Sequence, residues 1–301
     1  MDVRHLELLR DLAERGSVTA VAAATRRTPS AVSQQLKVAS REFGAMLVEP
    51  AGRGLRLTEA GRLLAGGGLE VAEAVERVQA TWDKFRNAPS GAVALAMLPS
   101  AATFLLPQVM HELRGERIEL RCTDVDLAEA EFGGLVADHD IVLAHSLTSR
   151  APAGTEGLRA VRLVREPLDI ALPAKHPLTR RQAVSAEDLV DEDWIGVPVG
   201  YPFDTVLQAI ERKTGNSLRV TQRLRDNRLI EALVASGQGL AVLPRFTTRE
   251  ERGLALRPLL GIPSRRYVFA VMRRDRAERL AVRRVLDAFV RVADAVTQMG
   301  A

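Results

Sequence analysis

Thr28-Pro29-Ser30-Ala31-Val32-Ser33-Gln34-Gln35-Leu36 is the stretch on which the reading of this chain turns. A hydroxyl residue followed at once by proline marks a helix start. The Thr28 side chain can accept from the first unpaired N–H groups, and Pro29 has no N–H to leave unsatisfied. In the helix that follows, Val32, Leu36, Ala39 and Phe43 step by four, three and four, giving one apolar stripe. Ser30, Ser33, Gln34 and Lys37 fall at i, i+3, i+4 and i+7 on a different face. Short hydroxyl and amide groups there can meet base edges, unlike the Glu/Lys mixture of an ordinary solvated face. Upstream, Leu6, Leu9, Leu12 and Ala13 keep helical spacing until Gly16, and Ser17 can cap a second helix from Val18 to Thr25. Arg26-Arg27 fills the turn between. Two short helices, a basic turn and a third helix with a hydrogen-bonding face spell a helix-turn-helix.

Charge points the same way. The 301 residues hold 42 basic and 38 acidic side chains, an excess of only +4. Between Arg26 and Arg62 seven basic residues stand against three acidic ones, so this short segment alone matches the excess of the whole chain. That concentration suits phosphate contact. After the third helix, Met46-Leu47-Val48, a Gly52-Arg53-Gly54 tip and Leu55-Arg56-Leu57 read as a small β-wing. The expected DNA contacts are Arg27, Thr28, Ser30, Ser33, Gln34, Lys37 and Arg53.

Thr58 to Arg86 then reads as one long helix, roughly 43 Å at 1.5 Å per residue. Leu57, Gly61, Leu64, Gly68, Val71, Val75, Val78, Trp82 and Phe85 alternate steps of four and three, a heptad seam that calls for a partner helix. A helix lying on its own domain needs a broader stripe. Gly66-Gly67-Gly68 interrupts it, each glycine costing about 1 kcal/mol in a helix interior. Either the run is a weak point, or Gly61 and Gly68 let two paired helices approach closely. The second is the expectation.

From Gly91 onward strand-like apolar runs alternate with amphipathic stretches, the pattern of an α/β domain. Asn87-Ala88-Pro89-Ser90-Gly91 is the expected hinge. The chain therefore divides into a head at 1–57, a linker helix at 58–87 and a body at 88–301. Ala88 to Met110 is uncharged, but Pro89, Pro99 and Pro107 suit a strand, a turn and a helix start better than a membrane span. The N-terminus alternates charged and apolar residues, unlike a signal peptide, so a cytoplasmic protein without a membrane partner is expected. Cys122 is the one cysteine, which excludes an internal disulfide and a thiolate zinc cage. Set in an apolar strand, it should be inert. His5, His111, His139, His145 and His176 have no metal-ligand spacing, and Asp138-His139-Asp140 reads as polar punctuation. Gly237-x-Gly239 precedes a strand, whereas a dinucleotide fingerprint follows one. No enzyme, cofactor or metal is expected.

Gly16-Ser17-Val18, Thr28 through Leu36, Phe43-Gly44 and Leu57-Thr58-Glu59-Ala60-Gly61 together resemble the winged helix-turn-helix of LysR-type transcriptional regulators over residues 4–64. Two positions depart from that pattern. Ala39-Ser40 stands where the family has Leu-Glu, and Val48-Glu49-Pro50 replaces a Phe-x-Arg step, removing an arginine expected to meet a phosphate or an acid. Residues 91–301 are similar to the family's effector domain. Matching positions include Asp140-Ile141-Val142-Leu143-Ala144, His176-Pro177-Leu178 and Gly237-Gln238-Gly239-Leu240-Ala241-Val242-Leu243-Pro244. The resemblance implies the fold of periplasmic binding proteins, with α/β subdomains at 91–162 plus 266–301 and at 163–265. Crossover strands at Leu163 to Leu172 and Arg265 to Met272 would join them, and an amphipathic helix from Ala277 to Val296 would close the chain. It also implies dimerisation through the long helix, a dimer or tetramer, an imperfect palindrome in double-stranded DNA and a small-molecule effector.

Ligands of open α/β sheets lie beyond the carboxyl ends of strands, near helix N-termini. Ser100, read as the cap of the first body helix, is the leading candidate, with Ala101 and Thr103 beside it. His145 and Ser146 follow the Ala144 strand, and Val199-Gly200-Tyr201 faces them across the gap. The helix end favours a carboxylate-bearing effector, although strand tips poor in arginine leave an uncharged polar ligand as the alternative. The alternatives are a transport-type solute-binding protein and a ligand-independent architectural DNA binder.

Overall fold

In the computed structural model three apolar cores succeed one another along the chain. The structure describes residues 2–52, 54–85, 89–125, 127, 129–148, 150–250 and 253–299. Arg53 and the hinge residues Asn87 and Ala88 lie outside them.

The head is built from α1 (Val3–Arg15), α2 (Val18–Thr25) and α3 (Pro29–Glu42). Gly16 ends α1 with φ at 70°, its N–H donating to the Leu12 carbonyl; a side chain would strain that left-handed conformation. Ser17 caps α2 by accepting from the Ala20 N–H, and Thr28 caps α3 by accepting from the Ala31 N–H at 3.2 Å. Val32, Leu36 and Ala39 are buried against Leu9, Leu12 and Val21, while Phe43 is only half-buried. β1 (Val48–Ala51) and β2 (Gly54–Leu57) pair antiparallel as the wing. Arg56 donates across it to Glu49 at 2.7 Å.

The long helix α4 (Glu59–Phe85) runs unbroken through its glycines. Its seam does not behave as one surface, which corrects the expectation for Gly61 and Gly68. A Cβ on Gly61 would run into the Leu47 carbonyl, and one on Gly68 would stand 2.6 Å from the Leu6 carbonyl oxygen. These glycines do serve a close approach of backbones, but to the chain's own head. Gly66 and Gly67 meet nothing within 4 Å. Further on, Val75, Val78, Trp82 and Phe85 are all exposed, with the last two rings stacked 5.6 Å apart.

The body opens with β3 (Ser90–Met97), α5 (Pro99–Glu112), β4 (Arg117–Asp124) and β5 (Ile141–Ser146). β3 runs parallel to both β4 and β5, and its buried run from Leu95 to Met97 is what a strand covered on both faces requires. β6 (Arg159–Pro173) crosses out of this core. The second subdomain follows with β7 (Asp193–Gly196), α6 (Asp204–Thr214), β8 (Arg219–Arg223), α7 (Asn227–Ala235), β9 (Ala241–Pro244) and β10 (Leu254–Arg257). β11 (Arg265–Met272) brings the chain back. The strand order is β10-β6-β11-β5-β3-β4, with β9 also on β6. β6 pairs with β11 over Arg159–Pro167, then from Leu168 onward with β9 and β10, so the two crossovers lie antiparallel side by side.

Two further expectations are corrected. The closing helix is two helices, α8 (Arg274–Glu278) and α9 (Leu280–Met299). The break at Arg279 lets its guanidinium reach Asp140 at 2.7 Å and the Ala92 carbonyl at 3.0 Å. Cys122 is exposed rather than set in apolar surroundings, because β4 is the edge of the sheet. Head and body meet through charge: the buried Arg273 donates to Glu14 at 2.6 Å and to Asp275 at 2.7 Å, and Arg15 donates to Asp138 at 2.8 Å. No helix among the described residues is long and apolar enough to cross a membrane.

Candidate DNA-binding face and effector cleft

Ser30, Gln34 and Lys37 are exposed along α3, with Ser33 half-buried beside them. Thr28 is exposed, but its hydroxyl already caps the helix and lies 3.0 Å from that of Ser30. Arg27 donates to Gln35 at 2.7 Å, which draws its guanidinium along the helix. The turn that sets α2 against α3 needs Arg26 in the left-handed region, φ 54°, uncommon for a residue with a side chain.

Between the subdomains lies a cavity of about 590 Å³. One wall is the N-terminal turn of α5, where Ser100 and Thr103 line the space. Leu98, not Ser100, is the cap residue; Ser100 sits inside the first turn, which corrects its expected role. Pro99 has no N–H, and the Ala101 and Ala102 N–H groups turn back onto the Leu98 carbonyl. Among the described residues, the Ser100 N–H is thus the amide of this end without a backbone partner. The Ser100 oxygen accepts from Arg266 Nη1 at 2.7 Å, so its own proton is available to a ligand. Arg266 is buried on β11 and donates through Nε to Glu166 on β6 at 2.6 Å. Its Nη2 lies near the same carboxylate but off its line, and has no hydrogen-bond partner. Glu166 also accepts from the Phe246 N–H at 2.9 Å. Burial pushes its carboxyl up while Arg266 pulls it down.

His145 stands at the end of β5 with its ring edge-on to Phe132. Only 7% exposed, it has no partner for either ring nitrogen. Burial, helped by the nearby Arg266, holds its pKa down at about 3, so the ring is neutral. The far wall brings Tyr201, with Arg225 5.1 Å above its ring, together with Arg228 and Arg249. The N-terminus of α7 also borders the cavity but is already capped by Asp226, which accepts from the Arg228 and Leu229 N–H groups. Among the described residues no cluster of His, Cys, Asp and Glu could hold a metal ion.

Comparison with known proteins decides the family. Residues 86–294 match the LysR substrate binding domain, and residues 3–62 match the bacterial regulatory helix-turn-helix protein, lysR family. The chain belongs to the LysR family. It is a DNA-binding transcriptional regulator with an effector-binding domain. It is 26% identical over 289 residues to a hydrogen peroxide-inducible genes activator of Dickeya chrysanthemi, covering 93% of this chain and 94% of that protein. It is 24% identical to the RuBisCO operon transcriptional regulator of Allochromatium vinosum, covering 92% and 91%. A full-length OxyR variant from Pseudomonas aeruginosa shares the fold, with a TM-score of 0.68 at 19% identity over 96% of this chain and 94% of that one.

In this LysR-family body the expected effector residues separate. Ser100, Thr103, His145 and Tyr201 line the cavity. Ala101 does not: it is fully buried in the core behind α5. Ser146 is buried and bonded to Thr148, because alternation along β5 turns it to the other face of the sheet. Val199 and Gly200 are exposed outside the cavity lining, at a turn where Gly200 takes φ 88°. The reading of strand tips poor in arginine is also overturned, since Arg225, Arg228, Arg249 and Arg266 all line the cavity. Sequence reasoning missed these four and Glu166. The signal was a pair of adjacent charges in each crossover strand, Arg165-Glu166 and Arg265-Arg266, since strand alternation turns one of each pair inward.

Proposed function

We propose that this regulator reads its operator with α3 and senses a small carboxylate between its two subdomains. Ser33 and Gln34 meet base edges with Ser30 and Lys37 beside them, while Arg27, Thr28 and Arg53 hold phosphates. Residues 1–57 bind DNA, 58–87 pair with a second copy through Val75, Val78, Trp82 and Phe85, and 88–301 bind the effector. Two heads so joined fit an imperfect palindrome in double-stranded DNA, and two dimers make a tetramer. The chain acts by binding rather than catalysis, in the cytoplasm where its DNA lies. Its single cysteine closes the route of an intrachain disulfide to any peroxide response.

The observation that carries the effector reading is the Ser100 hydroxyl, held by Arg266 with its proton free at an uncapped helix end. Such an end favours negative charge by up to about 2 kcal/mol when partly buried. An anion touching both walls favours one orientation of the subdomains, and only that difference in affinity can alter the DNA-bound state. Hexanoate is a plain carboxylate that fits the cavity. Ser100→Ala should weaken its binding about tenfold in calorimetry while leaving acid-free DNA binding unchanged. Unaltered hexanoate binding in that variant overturns the cleft assignment. On the DNA side, Gln34→Ala should reduce discrimination between operator and scrambled duplex by about 1–3 kcal/mol.

A further inference from the structure

Two unsatisfied polar groups share one face of the sheet beneath the cleft. His145 on β5 pairs with Val268 on β11, and Arg266 lies two residues from Val268 on the same strand. Strand alternation puts all three side chains on one face, with His145 and Arg266 diagonal neighbours at about 7–8 Å. Both residues line the cavity, and both are more than nine-tenths buried. Arg266 Nη2 makes no hydrogen bond although the Glu166 carboxylate stands 2.6 Å from it, and His145 keeps both ring nitrogens unpaired. Buried polar atoms are seldom left so, and two that converge on one space mark what the space receives.

The chemistry of each group limits what it can take. Arg266 needs an anion or a strong acceptor. A neutral imidazole offers one N–H and one bare nitrogen, so a hydroxyl can meet it at either atom and a carbonyl at the N–H. An ammonium is disfavoured beside the Arg266 guanidinium, because Glu166 is already committed to Arg266 and to the Phe246 N–H. Of the other acids bordering the cavity, Asp124 ends β4, two strands or about 10 Å from His145 on β5, while Asp226 caps α7 and Glu231 lies on that helix across the gap.

Resting on the carboxylate reading of the cleft, we propose that the effector is a 2-hydroxy or 2-oxo acid: its carboxylate meets Ser100 and Arg266, and its neutral oxygen meets His145. His145 is then the residue that separates such acids from plain carboxylates and from amino acids. The Phe132 ring packed edge-on holds the imidazole in place for that role.

Four six-carbon acids test the assignment by calorimetric titration of the full chain: hexanoate, 2-hydroxyhexanoate, 2-oxohexanoate and 2-aminohexanoate. The hydroxy or oxo acid should bind about tenfold tighter than hexanoate, and the amino acid no tighter. His145→Ala should erase that advantage and leave hexanoate itself within about threefold of wild type. His145→Gln, a neutral donor and acceptor, should restore part of the advantage, and it serves where the alanine variant melts early. If hexanoate binds and the hydroxy and oxo acids bind no tighter, the inference falls while the carboxylate reading stands. If the amino acid binds tightest, the inference falls in the same way. If none of the four binds at millimolar concentration, both readings fall together.

Discussion

Gly61 and Gly68, in the first half of α4, lie against backbone of the head, whereas Val75, Val78, Trp82 and Phe85 in the second half stay exposed. A single stripe of fours and threes runs through both halves. What differs is that glycine alternates with Leu64 and Val71 in the first half, whereas the second half has only large residues on the stripe. Gly61 lets this half approach the Leu47 backbone and Gly68 that of Leu6 on α1, so no second helix can enter at those two positions. Large apolar residues in the second half project beyond their own chain and leave a surface that another copy can cover. A heptad pattern therefore gives the direction a helix faces, while the bulk along the stripe decides whether its partner is its own chain.

The strongest way to break this division is Gly68→Leu. Its side chain has no space beside the Leu6 carbonyl, so the head should lose about 3 kcal/mol or more and DNA binding with it. Thermal unfolding of the full chain should show an early transition. A variant with an intact head and only a weakened dimer would instead return Gly68 to the paired seam. The double substitution Val78→Glu with Trp82→Glu should do the reverse. Sedimentation should show the dimer weakened about tenfold or more, with the melting of the head unchanged, since four carboxylates would be brought together at the seam. Loss of head stability there would erase the distinction between the halves. The smallest effect sharpens it. Gly66→Ala and Gly67→Ala point into open space, so each should stabilise the helix by about 0.5–1 kcal/mol in urea unfolding.

The head was legible because each of its signals is local. The Thr28 cap, the Pro29 start and the Val32-Leu36-Ala39 stripe lie within one helix and need no knowledge of the rest of the fold. Ser100 was legible for a similar reason, standing just after an apolar strand. Its partner Arg266 was not, being 166 residues further along and brought near only by the return of β11. The seam glycines were half-legible: their spacing announces a close approach, but spacing cannot say whose backbone approaches. Alternation could have excluded Ser146, because its neighbour His145 cannot face the same side of a strand. Nothing so local distinguishes Gly200, an exposed turn, from Tyr201, which turns into the cleft.

Arg273 sits buried between head and body with Glu14 on one side and Asp275 on the other. Ion pairs shielded in this way feel dissolved ions far less than exposed charges do. Contacts to phosphate are the opposite case, weakening steeply as counterions compete. Raising the ionic strength should therefore strip the duplex from α3 while the Arg273 pairs keep the head on the body, the more exposed Arg15–Asp138 pair being the weaker tie. For this protein the slope of log affinity against log salt mainly counts phosphates, with little added by loosening within the protein itself.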